Sequence, residues 1–107
     1  MVDIDSFRQI ALSFPDVVEL PDFEKTSFRT KGKIFATLTV DKHLACLKLS
    51  PLDQSVFCAY DKSIIYPVPN KWGIQGWTLV ELKKIRKTML KDAISVAYNE
   101  AARIKSR

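Results

Sequence analysis

The stretch that most constrains the fold runs over residues 33–49, KIFATLTVDKHLACLKL. Ile34, Ala36 and Leu38 alternate with the side chains between them, which is the period of two that places one side of a strand on a core. The Asp-Lys pair at 41–42 predicts a two-residue turn with the aspartate in left-handed backbone, and the alternation then resumes to residue 49. The stretch therefore predicts a β-hairpin near the centre of an antiparallel sheet.

The same alternation predicts which side chains leave the core. If Ile34 and its partners face inward, then Phe35, Thr37 and Thr39 face the other way, and we expect Lys48 of the second strand to join them. One face of the sheet is therefore expected to be at least partly open.

The remaining elements follow from helix caps, apolar spacing and turn residues. Ser50 and Pro51 have the pattern of a helix N-cap and first helical position. The inner face of this helix is expected to consist of Leu52, Val56, Ala59 and Tyr60. In chain order, we predict a helix over 3–14 capped by Asp3, strands over 17–20 and 26–30, the hairpin with Gly32 before it, a helix over 50–61, a strand over 64–68, a loop over 70–75, a strand over 76–82 and a helix from about 86 to 105.

This order predicts an α+β fold: an antiparallel sheet of about five or six strands with helices packed on one face. The long last helix carries the apolar stripe Leu90, Ala93, Ile94 and Ala97, and we expect Trp77 to share a core with it. At 107 residues the chain has the usual length of one domain, so we expect a single domain over residues 1–107.

Composition favours a cytoplasmic protein. Hydrophobic residues make up 47% of the chain, but no apolar run approaches the roughly 20 residues of a membrane-spanning helix. The start, MVDIDSF, lacks the bases of a secretory signal. Cys46 and Cys58 fall on a predicted strand and helix, where we expect reduced, buried thiols.

The net charge of +5 is unevenly distributed. From residue 83 onward there are eight bases and two acids, whereas the first 24 residues contain six acids and one base. The chain should therefore have a negative and a positive region, which suits an anionic partner. Bases at 83–87 stand at the start of a predicted helix, where they oppose its dipole. They predict either a phosphate site or the solvation of an exposed connection.

Four segments resemble the MmcQ/YjbR family of small bacterial proteins: FEKTSFRTKGKIFATL, ACLKLS, IIYPVPNKWGIQGWTLVEL and MLKDAISVAY. The most specific piece is NKWGIQGWT at residues 70–78, with two tryptophans, two glycines and a lysine. The resemblance covers essentially the whole chain. It implies a fold similar to the frataxin and CyaY proteins, and DNA binding in which the hairpins act as a double wing. It brings no catalytic residues.

The residues themselves indicate no catalytic, metal or cofactor site. His43 is the sole histidine and falls in a predicted turn, without cysteine pairs at zinc spacing. There is no nucleophile elbow and no glycine-rich nucleotide loop. A frataxin-like iron role is disfavoured because SFRQIALSF in the first helix contains no acid. The GxxG at 73–76 precedes a strand, so it favours a packed turn over the clamp of a KH domain. The sequence therefore favours a small non-enzymatic binding protein, and no cofactor is expected.

Two classes of function fit the sequence. The first is a DNA-binding module with salt-sensitive, mainly sequence-independent affinity for phosphates. The second is a protein- or small-ligand-binding domain that uses the open sheet face and the Trp72 loop. They differ in whether the bases converge on one face. The candidate nucleic-acid contacts are Arg29, Lys31, Lys33, Lys71, Trp72, Lys83, Lys84, Arg86 and Lys87.

Overall fold

The computed structural model describes residues 1–103, and within this range it has the predicted α+β architecture with helices on one face of a sheet. All strand pairs are antiparallel, and the strand order is β1-β2-β3-β4-β6-β5. The predicted end of the last helix, near residue 105, lies outside the described residues. The elements are α1 (Ile4–Leu12), β1 (Val17–Asp22), β2 (Lys25–Thr30), β3 (Lys33–Thr39), β4 (Leu44–Lys48), α2 (Pro51–Cys58), β5 (Ile65–Pro67), α3 (Lys71–Ile74), β6 (Trp77–Glu81) and α4 (Lys87–Ala102).

The core lies between the sheet and helices α1 and α4. Phe7 of α1 meets Phe28 of β2 edge to face, with ring centroids 5.6 Å apart. The predicted stripe of α4, from Leu90 to Ala97, is fully buried against β3 and β4. Burial of these side chains is the main stabilising term of such a fold. Within residues 1–103, every helix is too short or too polar to span a lipid bilayer.

The predicted helix starts are confirmed by their hydrogen bonds. The Ser6 N–H donates to Oδ1 of Asp3 at 2.8 Å, and the Asp53 N–H donates to Oγ of Ser50 at 3.1 Å. Each bond satisfies a backbone donor that the first turn of a helix leaves free. The face predicted for α2 is wrong, however. Its Leu52, Val56 and Tyr60 are exposed, and Phe57 and Cys58 turn inward instead.

The central hairpin is confirmed, but its turn differs from the prediction. Val40–Lys42 forms a single 3-10 turn, and the left-handed residue is His43, with φ of 49°, instead of the aspartate. The His43 N–H closes this turn by donating to the Val40 carbonyl at 3.1 Å. Before the hairpin, Gly32 has the predicted positive φ, at 81°.

A β-bulge changes the direction of Phe35. Phe28 pairs with Ala36 but Arg29 pairs with Ile34, so Phe35 is an extra residue in β3. Its ring is fully buried and meets Tyr98 of α4 edge to face at 5.6 Å. The prediction that Phe35 faces outward and Ile34 inward is therefore wrong. The bulge rotates Phe35 onto the helix side, and the half-buried Ile34 pairs with Arg29 on the uncovered face.

Trp77 also lies on a different face from the one expected. In β6 the buried residues are Thr78 and Val80, and Trp77, Leu79 and Glu81 alternate with them on the uncovered face. Trp77 is only half-buried there and is not part of the core. The prediction of a core shared with the α4 stripe is wrong.

Candidate nucleic-acid interface

Strand direction divides the predicted contact residues between two ends of the sheet. In the register of β4 and β6, Lys48 faces Trp77 and Leu44 faces Glu81. The β2–β3 turn lies at the Trp77 end, because Thr39 at the other end of β3 pairs with Leu44. We call the Trp77 end the basic end and the Glu81 end the far end.

The basic end collects positive side chains from separate parts of the chain. Lys31 and Lys33 come from the β2–β3 turn, Lys48 ends β4, Lys71 begins α3, and Arg103 follows α4. Neighbouring strands lie about 5 Å apart, so a surface that crosses from β2 to β5 is roughly 15–20 Å wide. Lys31, Lys33, Lys71 and Arg103 are exposed and Lys48 is half-buried.

A cavity of about 260 Å³ opens at the basic end. Lys33, Lys48 and Arg103 line it together with Trp77. Glu100 also lines it, and its Oε2 lies 3.3 Å from Nη2 of Arg103. The cavity thus brings cations and an aromatic residue together.

Trp72 provides a second aromatic side chain near this end. Its side chain is 50% exposed, and Nζ of Lys71 lies 5.9 Å from the centroid of its ring. The predicted loop at 70–75 holds one helical turn, α3, because the Asn70 side chain accepts the Trp72 N–H at 2.8 Å. An exposed ring beside a cation can meet a base and a phosphate.

The two glycines of the GxxG segment allow close backbone packing. A Cβ on Gly73 would lie 2.0 Å from the Val68 carbonyl oxygen, and one on Gly76 would lie 1.8 Å from the Leu49 carbonyl oxygen. Gly76 also has φ of 110°. Only glycine fits where two backbones approach so closely. The packed-turn interpretation accounts for both residues.

Arg29 lies on the uncovered face of β2, opposite Ile34. It is half-buried, and its Nε donates to Oγ of Ser27 at 3.1 Å. It is therefore placed beside the basic end but is partly held by its own strand.

The bases predicted at the start of the last helix all lie at the far end. Lys83, Lys84 and Arg86 follow β6, and Lys87 begins α4. They are exposed, but acids are interleaved with them. Lys84 and Arg86 line a cavity of about 400 Å³ that Asp61 and Asp92 also line.

Two of these bases lie near specific carboxylates. Hydrogen bonds from Ser63 hold the pKa of Asp61 below its ordinary value, and attraction to Lys84 lowers it further. The N–H of Ser6 likewise lowers the pKa of Asp3, with a smaller attraction to Lys87. The far-end bases thus have counter-charges within the domain, which weakens their field for an external anion.

The uncovered sheet face is mixed in character. Val18 and Leu20 are 51% and 41% exposed. The Tyr66 hydroxyl donates a hydrogen bond to Glu81, which raises the pKa of Tyr66 to about 12. Burial raises the pKa of the Cys46 thiol on the same face to about 11.

Neither cysteine forms a disulfide, and within residues 1–103 no cluster of three or more His, Cys, Asp or Glu side chains could hold a metal ion. The sequence reasoning missed Lys48, Trp77 and Arg103 as parts of one site. The strand order that joins them has no local signal in the sequence. A weak signal was the position of Lys48 and Trp77 at the limits of two apolar strands.

Together these features define an α+β domain with one uncovered sheet face and a basic, aromatic end. The YjbR family model matches residues 12–100. The chain therefore belongs to the YjbR family. Among curated proteins no match was found.

A solved structure has a similar fold. The crystal structure of Deinococcus radiodurans protein DR2400, with the family-model domain DUF419, has a TM-score of 0.78 to this chain. The sequence identity is 20%, and the similarity covers 92% of this chain and 77% of that chain.

Proposed function

We propose that this YjbR domain binds DNA through phosphate contacts at the basic end. The supporting observation is that five bases from separate segments, at Lys31, Lys33, Lys48, Lys71 and Arg103, meet at one end of the sheet. Lysine and arginine that neutralise phosphates release counterions, which makes such binding salt-dependent. The double-wing and CyaY-like comparisons stay predictions.

The basic end is a better candidate than the far end. Both ends have exposed bases, but the far-end bases share their surface with Asp3, Asp61 and Asp92. At the basic end, Glu100 pairs with Arg103, which leaves the lysines to face an incoming phosphate. Duplex affinity should therefore depend more on the bases of the basic end than on those of the far end.

The test compares two sets of substitutions in the salt dependence of duplex binding. Lys31→Gln, Lys33→Gln and Lys71→Gln together remove three bases of the basic end. The matched control carries Lys83→Gln, Lys84→Gln, Arg86→Gln and Lys87→Gln. Each lost phosphate contact makes the slope of log affinity against log salt less steep by about 0.9. The slope of the triple variant should therefore be less steep than that of the unmodified protein by nearly 3. The slope of the control variant should change by less than about 1.

The variants should all stay folded, because exposed bases contribute little to stability. Undetectable binding of both duplex and single-stranded DNA by the unmodified protein, at about 50 mM salt and tens of micromolar protein, would exclude the proposed function, since non-specific binders have dissociation constants of about 10⁻⁴–10⁻⁶ M even at higher salt. A greater loss in the control would move the contact surface to the far end.

The uncovered sheet face supports a second candidate, a protein- or small-ligand-binding site. The supporting observation is the exposure of Val18 and Leu20 on a sheet face against which, among residues 1–103, no helix packs. Amide chemical-shift mapping separates the two candidates. DNA should shift residues 31–33 and 71–72, whereas a metabolite or peptide bound on the face should shift β1 and β2.

A further inference from the structure

The cavity at the basic end carries surplus positive charge beside an indole ring. Among residues 1–103, the cations that line it are Lys33, Lys48 and Arg103, and the carboxylate that lines it is Glu100. Glu100 is already paired with Arg103 at 3.3 Å. Lys33 and Lys48 therefore have charge available for an anion that enters beside Trp77.

Hydrogen bonds hold the backbone on both sides of Trp77. Its carbonyl accepts the Val68 N–H at 3.0 Å, and the carbonyl of the preceding Gly76 accepts the Leu49 N–H at 3.0 Å. A Cβ on Gly76 would lie 1.8 Å from the Leu49 carbonyl oxygen, so the two backbones are closely packed at this point. A side chain on a fixed backbone loses less entropy on binding than one on a mobile segment.

The size of the cavity limits what it can hold. At about 260 Å³ it is slightly smaller than the about 300 Å³ at which sites for drug-sized ligands begin. It suits one nucleobase or one sugar phosphate, but not a longer piece of a strand. A base within a duplex is already stacked on both faces, so only an unpaired base can use the ring.

We propose that the cavity receives one unpaired base against Trp77, with the adjacent phosphates on Lys33 and Lys48, so that the domain prefers single-stranded to duplex DNA. This inference rests on the proposed DNA-binding function. It adds a substrate class, because phosphate contacts alone do not require an unpaired base.

A mononucleotide titration tests the cavity alone. The chain has two tryptophans, so Trp72→Phe leaves Trp77 as the only indole fluorophore. Deoxyadenosine monophosphate should quench this fluorescence, and Lys48→Gln should weaken the effect. Deoxyribose 5-phosphate and inorganic phosphate should leave it unchanged. Equal quenching by the sugar phosphate, or no quenching by the nucleotide, overturns the inference.

A second experiment compares a single strand of about 12 nucleotides with its duplex at one salt concentration, using the unmodified chain and two Trp77 variants. The single strand should bind more tightly. Trp77→Leu should weaken its binding by about fivefold to hundredfold, the loss expected for one stacked base, and Trp77→Phe should retain most of it. Tyr60→Leu is the matched control, because Tyr60 is exposed and lines the far-end cavity.

The outcomes separate this inference from the function on which it rests. Equal binding of both forms, or an unchanged Trp77→Leu variant, overturns the base-binding cavity but leaves phosphate binding intact. Absence of binding by both forms overturns both proposals. If Trp77→Leu does not fold, the nucleotide titration of the Trp72→Phe chain, with and without Lys48→Gln, decides.

Discussion

Replacement of Gly76 by alanine should bring the protein close to unfolding. The new Cβ would lie 1.8 Å from the Leu49 carbonyl oxygen and 2.9 Å from its carbonyl carbon. The positive φ of 110° alone costs about 1–2 kcal/mol for a residue with a Cβ. Relief of the overlap also displaces β6 from β4 and breaks the hydrogen bond between Leu49 and Gly76, worth about 1 kcal/mol.

These terms, with the lost packing of buried Leu49, predict a loss of more than about 4 kcal/mol, which is exceptional for one substitution. Domains of this kind have about 5–15 kcal/mol in total. The matched control is Gly32→Ala, where φ is 81° but no atom lies within 4 Å of the added Cβ. It should cost only about 1–2 kcal/mol.

Urea denaturation followed by tryptophan fluorescence measures both losses. If the two alanine variants lose the same free energy of unfolding within about 0.5 kcal/mol, the steric reasoning is refuted and backbone conformation alone explains both glycines.

Three further predictions concern single side chains. Phe35→Ala should lower the free energy of unfolding by about 3–5 kcal/mol because the ring is fully buried, whereas Trp77→Ala should lower it by about 1–2 kcal/mol because Trp77 is half-buried. Equal losses would show that Trp77 is a core residue. The hydrogen-bonded guanidinium of Arg8 lowers the pKa of Glu19 below its ordinary 4.5, so this pair stabilises the fold above that pH and the contribution disappears as pH falls through the lowered pKa. On acidification, the melting temperature of Arg8→Gln should therefore fall less than that of the unmodified protein. Parallel curves of melting temperature against pH for the two proteins would contradict the pairing. Because burial raises the pKa of Cys46 to about 11, its alkylation at about pH 8 should be slow in the folded protein and fast in denaturant. Equally fast alkylation of the folded and the denatured protein would show that the Cys46 thiol is accessible to solvent.

Features set by neighbouring residues could be predicted from the sequence. The caps at Asp3 and Ser50 and the apolar stripe of α4 depend on spacings within one helix, and the structure confirms them. The α+β class followed because each element was recognisable on its own. The bulge at Phe35 could not be predicted, because it depends on how β3 pairs with β2.

The face of β6 shows why the site was harder to predict. Alternation along a strand does not say which set faces the core, and a slip of one residue exchanges them. The larger side chain, Trp77, was expected to be the buried one, but Thr78 is buried instead. The Gln54 side chain satisfies its buried hydroxyl by donating a hydrogen bond to Oγ1 at 3.1 Å. Likewise, nothing local shows that Lys33 and Lys48 share an end while Lys84 lies at the other. That grouping is set by strand direction across the whole sheet.

The two edge strands of the sheet differ in length but share one property. β1 has six residues and β5 has three, and each contains a proline, Pro21 and Pro67. Proline offers no N–H to an incoming strand, so each edge is a poor template for another chain. This protection matters more here than in a β-sandwich, because one face of this sheet is uncovered. The domain should therefore stay monodisperse at high concentration, and Pro21→Val should aggregate at a lower concentration than the unmodified protein.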